Sequence, residues 1–148
     1  MLTVRKAISD DKQALKSLYK QLVDKPNADE QAFDRVFGQI DKNGCYHLLV
    51  AVNDENKVVG TAMGIICHDL TGGCNPFMVI ENVVADEKAR GTGVGKLLMN
   101  ELESIARQNK CGYIILVSGM ERADAHSFYE KLGYPKDRAR GFKKDLLY

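Results

Sequence analysis

The 148-residue chain reads as a single-domain α/β protein in which helices pack on a mixed central sheet, in the element order βααβββαβαβ. Three observations lead there. Apolar residues recur at intervals of three and four between residues 12 and 40, β-rich runs replace that period from Tyr46 onward, and alternating glycines Gly91, Gly93 and Gly95 directly precede a second helical stripe. No repeat, low-complexity run or linker divides the chain, so one domain spanning 1–148 is expected.

"LTVRKAI" alternates as a first strand, after which Ser9 is placed to cap a helix with Asp10 and Asp11 in its first turn. That helix carries Leu15, Leu18, Tyr19, Leu22 and Val23 on one face until "DKPNAD" interrupts it. Asn27 with Glu30 forms a capping-box pattern for a second helix with the stripe Phe33, Val36, Phe37 and Ile40, and Gly44 lies just past its end. "YHLLVAVN" and "VVGTAMGIICHDL" then read as hairpin strands about "DENK", and "FMVIENVVAD" as a further strand. After the glycines, Val94, Leu97, Leu98, Leu102, Ile105 and Ala106 share a helix face. "YIILVSG" is a short continuous apolar run, expected as a strand covered on both faces. "RADAHSFYEKLGY" is a helix stopped by Gly133, and "RGFKKDLLY" a closing strand. The hairpins imply antiparallel pairing before the glycines, and the helix after them a parallel crossover.

Composition narrows the function. Twenty-one basic residues against twenty acidic ones leave a net charge of +1, which argues against nucleic acid as a partner. The start "MLTVRKAISDDKQ" lacks the apolar centre of a signal peptide, and no stretch approaches the roughly 20 apolar residues of a membrane span. A soluble cytoplasmic chain without membrane association is the expectation. Cys45, Cys67, Cys74 and Cys111 show no CxxC spacing and His47, His68 and His126 complete no metal pattern, so reduced thiols and no metal are expected.

The stretch "RGTGVGKLL" is not a nucleotide P-loop. Laid on Gly95-Lys96, that motif would need glycine at Arg90 and a hydroxyl at Leu97. A dinucleotide fingerprint fails too, because its third glycine would fall on Lys96 or Leu98. The stretch does fill R-x-x-G-x-G, with Arg90, Gly93 and Gly95 between a strand and an amphipathic helix. In this it resembles the acyl-CoA loop of GNAT superfamily N-acetyltransferases. "HSFYEKLGY" is similar to that family's second recurrent segment, a helix bearing an aromatic hydroxyl and ending in Gly-aromatic. The likeness covers nearly the whole chain, since the element order is also that family's.

The resemblance implies a GNAT-like fold, acetyl-CoA as co-substrate, and pyrophosphate binding by the loop Arg90, Gly91, Thr92, Gly93, Val94, Gly95 and Lys96. Free N–H groups at a helix start suit phosphate oxygens, and glycines remove side-chain bulk. It further implies that Val83 and Val84 offer main-chain groups to the pantetheine arm. Tyr129 is implied as the general acid that protonates the departing thiolate, and Glu81, the sole acid between Asp69 and Asp86, as the base for the amine. His126 stands where relatives frequently carry an asparagine that contacts CoA, a departure that still leaves a donor. The acceptor is expected to be a small-molecule primary amine reached in a ternary complex. A protein or peptide amine, or a non-catalytic acyl-CoA sensor, remain alternatives. Acceptor-side segments would be "VDKPNADEQAF", "HDLTGGCNPF" and "PKDRARGF", with Asp24, Asp29, Glu30 or Asp69 facing an amine and Arg138 or Arg140 an anionic group. A homodimer is compatible with the sequence, which leaves the oligomeric state open.

Overall fold

A computed structural model describes residues 1–26 and 28–147. Its elements are β1 (Thr3–Lys6), α1 (Lys12–Leu22), α2 (Glu30–Lys42), β2 (Tyr46–Val52), β3 (Val58–Cys67), β4 (Phe77–Ala85), α3 (Val94–Gln108), β5 (Ile114–Ile115) and α4 (Ala123–Lys131). The residues form two compact units, Met1–Ile115 and Leu116–Tyr148. The first unit contains a five-stranded sheet in the order β1-β2-β3-β4-β5, antiparallel up to β4 and parallel between β4 and β5. Antiparallel hairpins before the glycines and a parallel crossover after them agree with the sequence pattern.

Asparagine chemistry closes the first hairpin. The Asn53 side-chain oxygen accepts from the N–H groups of Glu55 and Lys57, each at 3.0 Å, and Asn56 takes φ +59, which asparagine tolerates better than most residues. Strands β2 and β3 then pair over nearly their whole length.

Paired residues share a sheet face, so the register sorts the two layers. Leu48 and Val50 lie opposite Met63 and Thr61 on the face that packs with Leu15, Tyr19, Phe33, Phe37 and Ile40 of α1 and α2. On the other face, Gly60 and Gly64 of β3 underlie α3, whose residues Val94, Leu98, Met99, Leu102 and Ala106 are buried. A Cβ on Gly60 would collide with Val94, and one on Gly64 would lie 2.8 Å from a Leu102 methyl. The absent side chains let α3 settle close to the sheet.

Four local expectations change. Ser9 makes no capping bond; a 3-10 turn over Ser9–Asp11 comes first, and Asp11 turns inward to accept from Ile8 N–H at 2.8 Å. Asn27 lies outside the described residues, and the α2 cap is Asp29, which accepts from Ala32 N–H at 2.8 Å. The "YIILVSG" strand shrinks to two residues, with Ile115 43% exposed, because β5 is an edge strand paired only with β4. The closing strand expected over "RGFKKDLLY" is absent among residues 140–147, so the observed order ends βα. Phe142, Leu146 and Leu147 there are exposed, and a strand with no pairing partner has nothing to bury its backbone or its apolar residues against. Gly133 does stop α4 as expected, at φ +93, with Tyr134 N–H returning to Tyr129 C=O at 3.0 Å.

One charged pair ties β1 to α1. Arg5 makes a two-pronged contact with Asp11 at 2.7 and 2.9 Å, and the Asp11 side chain is almost wholly buried. Hydrogen bonding to Arg5 holds the Asp11 carboxyl below its ordinary range despite burial, which acts the other way, and the Ile8 N–H adds to the lowering. A carboxyl depressed in the folded state contributes stability above its unfolded value, near pH 4, that is lost as pH falls through the native value. Asp11→Asn is therefore expected to lose about 1.5 kcal/mol at pH 7, the low end for a charged hydrogen bond because the Arg5 guanidinium is partly in water. Urea unfolding between pH 7 and 2.5 should also show a shallower acid-induced decline in the variant than in the parent; equal declines would remove Asp11 from the acid response.

Candidate active site

Strand β4 leads into the site and changes hand on the way. Met63 of β3 faces Glu81, yet Thr61 faces Val84, so Asn82 and Val83 together oppose the single residue Ala62. Asn82 takes φ +55 at this bulge. The side-chain alternation reverses across it, so Glu81 before the bulge and Val84 after it both face the α1 and α2 layer. Glu81 and Asn82 are exposed, Val83 is half-buried and Val84 is buried. Glu81 has no hydrogen bond or ion pair among the described residues, and it is the only carboxylate on the strand. Since β4 pairs with β5 only through Met78 and Val79, the later part of that edge, including Val83, is left with no strand partner in this sheet.

The loop after β4 is pinned at several points. Asp86 N–H donates to Val59 C=O at 2.8 Å, the Asp86 carboxylate accepts from Lys88 N–H at 2.9 Å, and the Gln21 side-chain oxygen on α1 accepts from Glu87 N–H at 2.9 Å. Thr92 Oγ1 donates to Ala89 C=O at 2.5 Å. Gly91 and Gly93 adopt φ +78 and +91, and a Cβ at either would meet no atom within 4 Å. Backbone conformation, not crowding by protein, therefore demands glycine here. Helix α3 begins at Val94 with Gly93 as its cap, and the first helical bond runs from Leu97 N–H to Gly93 C=O at 3.0 Å. The N–H groups of Gly93, Val94, Gly95 and Lys96 have no acceptor among the described residues. Arg90, Thr92 and Lys96 are exposed, and Val94 is buried on Gly60. An open cleft of about 590 Å³ flanks the loop, lined by Asn53, Val59, Lys88, Thr92, Gly93 and Leu97 among others.

A helix start with four free donors, two open glycines before it and two exposed cations fits a pyrophosphate. The residues present thus suit the acyl-CoA co-substrate that the loop pattern implies.

In the second unit, Tyr129 sits half-buried on α4. Its ring meets Phe128 edge-on at 5.1 Å and Tyr134 at 6.3 Å between centroids. His126 lies one turn earlier, with Nε2 2.8 Å from Gly119 C=O, so the tautomer protonated at Nε2 donates there and fastens the segment before α4.

Most of the acids read as amine-facing serve the fold instead. Asp29 caps α2, Glu30 pairs with Lys16 at 3.6 Å, and Asp69 accepts from both the N–H and hydroxyl of Thr71, bonds that hold its carboxyl below its ordinary range. Asp24, Arg138 and Arg140 are exposed. Sequence reasoning missed Asn82 and Gln21. An asparagine inside an apolar strand was the available signal for the first, and nothing local marks the second. Among the described residues, no group of three or more His, Cys, Asp or Glu could hold a metal, and no helix is long and apolar enough to cross a membrane.

Strand, glycine loop and helix together have the form of an acyl-transfer enzyme's cofactor site. Residues 12–134 match the model of the acetyltransferase (GNAT) family, and the chain belongs to that family as an N-acetyltransferase. It is similar to the glucosamine 6-phosphate N-acetyltransferase of Arabidopsis thaliana, 29% identical over 128 residues that cover 85% of this chain and 84% of the relative. The enzyme so named in Trypanosoma brucei brucei is 38% identical over 90 residues, 61% of this chain and 58% of that one. Among solved structures, a putative acetyltransferase from Agrobacterium tumefaciens str. C58 superposes with a TM-score of 0.89 at 28% identity, covering 97% of this chain and 99% of the other.

The positive φ at Gly93 makes a stability prediction. Gly93→Ala should cost about 1–2 kcal/mol through backbone strain alone, since the new methyl has open space around it. Chemical denaturation of the two proteins measures the difference, and an unchanged midpoint would show that the left-handed conformation is not required.

Proposed function

We propose that the chain moves an acetyl group from acetyl-CoA to the primary amine of a small molecule by direct transfer in a ternary complex. The observation that carries this reading is the set of free N–H groups at the start of α3, directly after the strand that bears Glu81. The names of the relatives support an amino-sugar phosphate as the acceptor class.

In this reading the loop from Arg90 to Lys96 holds the pyrophosphate through main-chain N–H groups. Val83 and Val84 lend main-chain groups to the pantetheine amides along the edge that β5 leaves free. Glu81 takes a proton from the ammonium, directly or through water, so that the amine nitrogen can attack the thioester carbonyl carbon. A main-chain N–H near Val83 steadies the oxyanion. The C–S bond then breaks as Tyr129 gives its proton to the departing thiolate, the nitrogen passes its remaining extra proton to water, and the Tyr129 phenolate regains a proton from solvent. His126, occupied with Gly119, acts on the cofactor through the shape of its segment or through its second ring nitrogen.

Purified protein given acetyl-CoA and a panel of amino sugars, amino-sugar phosphates, other amines and peptides, with thiol release followed, tests the reading. Turnover on small amines supports it. Turnover on peptides alone would shift the acceptor to protein amines, and tight acetyl-CoA binding without transfer to any amine would favour a sensor.

Two substitutions separate the chemical roles. Glu81→Gln should lower turnover most near neutral pH and recover part of it in alkaline buffer, where the amine loses its own proton. A pH–rate profile superimposable on the parent's would exclude the carboxylate. Tyr129→Phe keeps the ring that packs on Phe128 and Tyr134 but not the hydroxyl. It should bind acetyl-CoA normally in calorimetry and lose about 10²–10⁴-fold in kcat. Parental turnover in that variant would assign the proton to water or another donor.

A further inference from the structure

Glu81 and Asn82 are the only two exposed residues of β4; Glu81 is the last residue in regular register, paired with Met63, and Asn82 opens the bulge in which it and Val83 oppose the single residue Ala62. Both flanks of this point are locked. Upstream, Met78 and Ile80 are buried and pair with Ile66 and Gly64; downstream, Val84 and Ala85 pair with Thr61 and Gly60, directly beneath the first turn of α3. Neither flank can slide by one residue, because a slip would reverse every side chain on it between the two helical layers. The extra residue must therefore be absorbed between Glu81 and Val84, and the backbone absorbs it by turning left-handed at Asn82. Few residue types accept that conformation; glycine does so freely, and asparagine better than other side chains.

We propose that Asn82 is a positioning residue whose left-handed backbone fixes the bulge and so aims the Glu81 carboxylate at the reacting amine. This rests on the reading of Glu81 as the base. Nothing is required of the Asn82 side chain beyond tolerance of a positive φ, which sets this role apart from that of a group touching the substrate. An alanine at position 82 leaves both flanks paired but pulls the bulge away from φ +55, and the residue with most freedom to move in response is its exposed neighbour Glu81.

The test uses the whole chain, acetyl-CoA and the best amine found in the panel, with thermal melts to confirm that each variant is folded. Asn82→Ala is expected to lose about 10- to 100-fold in kcat, the scale of an ångström-sized misplacement. Asn82→Gly, which retains the positive φ, should remain within about 3-fold of the parent. The double variant Asn82→Ala with Glu81→Gln should be no slower than Glu81→Gln alone, because the misplaced group is already gone. Parental turnover in Asn82→Ala, an equal loss in Asn82→Gly, or multiplying losses in the double variant would each overturn the proposal while leaving Glu81 as the base. Full activity and an unchanged pH profile in Glu81→Gln would instead remove the base reading, and the proposal with it.

Discussion

The close seating of α3 on Gly60 and Gly64 of β3 is the constraint on which the glycine loop depends. The free donors of a helix start act over little more than one turn, so their usefulness depends on where that turn is held. Here the first helical residue, Val94, is also the one pressed onto Gly60, and it directly follows Gly93. The other end of the loop is fastened at the neighbouring residue, where Asp86 N–H meets Val59 C=O. Adjacent residues of β3 thus anchor both ends of a loop whose middle is open to solvent. Gln21 adds a third attachment from α1. A side chain at position 60 would lift the helix start and widen the span that the two glycines bridge.

A second economy lies in the charges of the layer formed by α1 and α2. Asp11 is bound to Arg5, Asp34 pairs with Lys12 at 3.2 Å, and Glu30 pairs with Lys16. The two lysine ammonium groups also lie over the Phe37 and Phe33 rings, at 5.3 and 4.9 Å. Such pairs neutralise carboxylates that could otherwise compete for a cationic amine. Glu81 differs in kind, because it stands on a strand, faces this layer and has no partner among the described residues. An exposed carboxylate without a partner costs the fold little.

What could be read in the sequence follows from the range of the interactions involved. The hairpin about "DENK", the α3 stripe and the Gly133 stop depend on residues a few positions apart, and each is found. Caps are less legible: Ser9 and Asp29 are both good capping types, yet Asp29 caps α2 while Ser9 opens a 3-10 turn whose last residue, Asp11, binds Arg5 and Ile8 N–H, a contact with β1 that the local pattern does not reveal. The closing strand failed for the same reason in a stronger form. Its residues alternate acceptably, but pairing is supplied by another strand and cannot be read from the segment itself. The bulge at Asn82 was hidden because "IENVV" looks regular, and only the register of both flanks shows that one residue is surplus.

The same distinction explains why the reaction is easier to read than the acceptor. Main-chain donors at a helix start ask the sequence only for glycines and a helix, and "RGTGVGKLL" carries that compact pattern. Recognition of a particular amine asks for side chains contributed by separate connections. There, acidic and basic residues are plentiful and most have structural duties, as Asp29, Glu30 and Asp69 do. A charge in such a segment is therefore weak grounds for a role in acceptor binding until its partners are known. Glu81 stands apart because strand geometry, not charge, singles it out: it is exposed and without a partner among the described residues, directly beside the left-handed turn at Asn82 by which β4, locked on both flanks, absorbs its surplus residue.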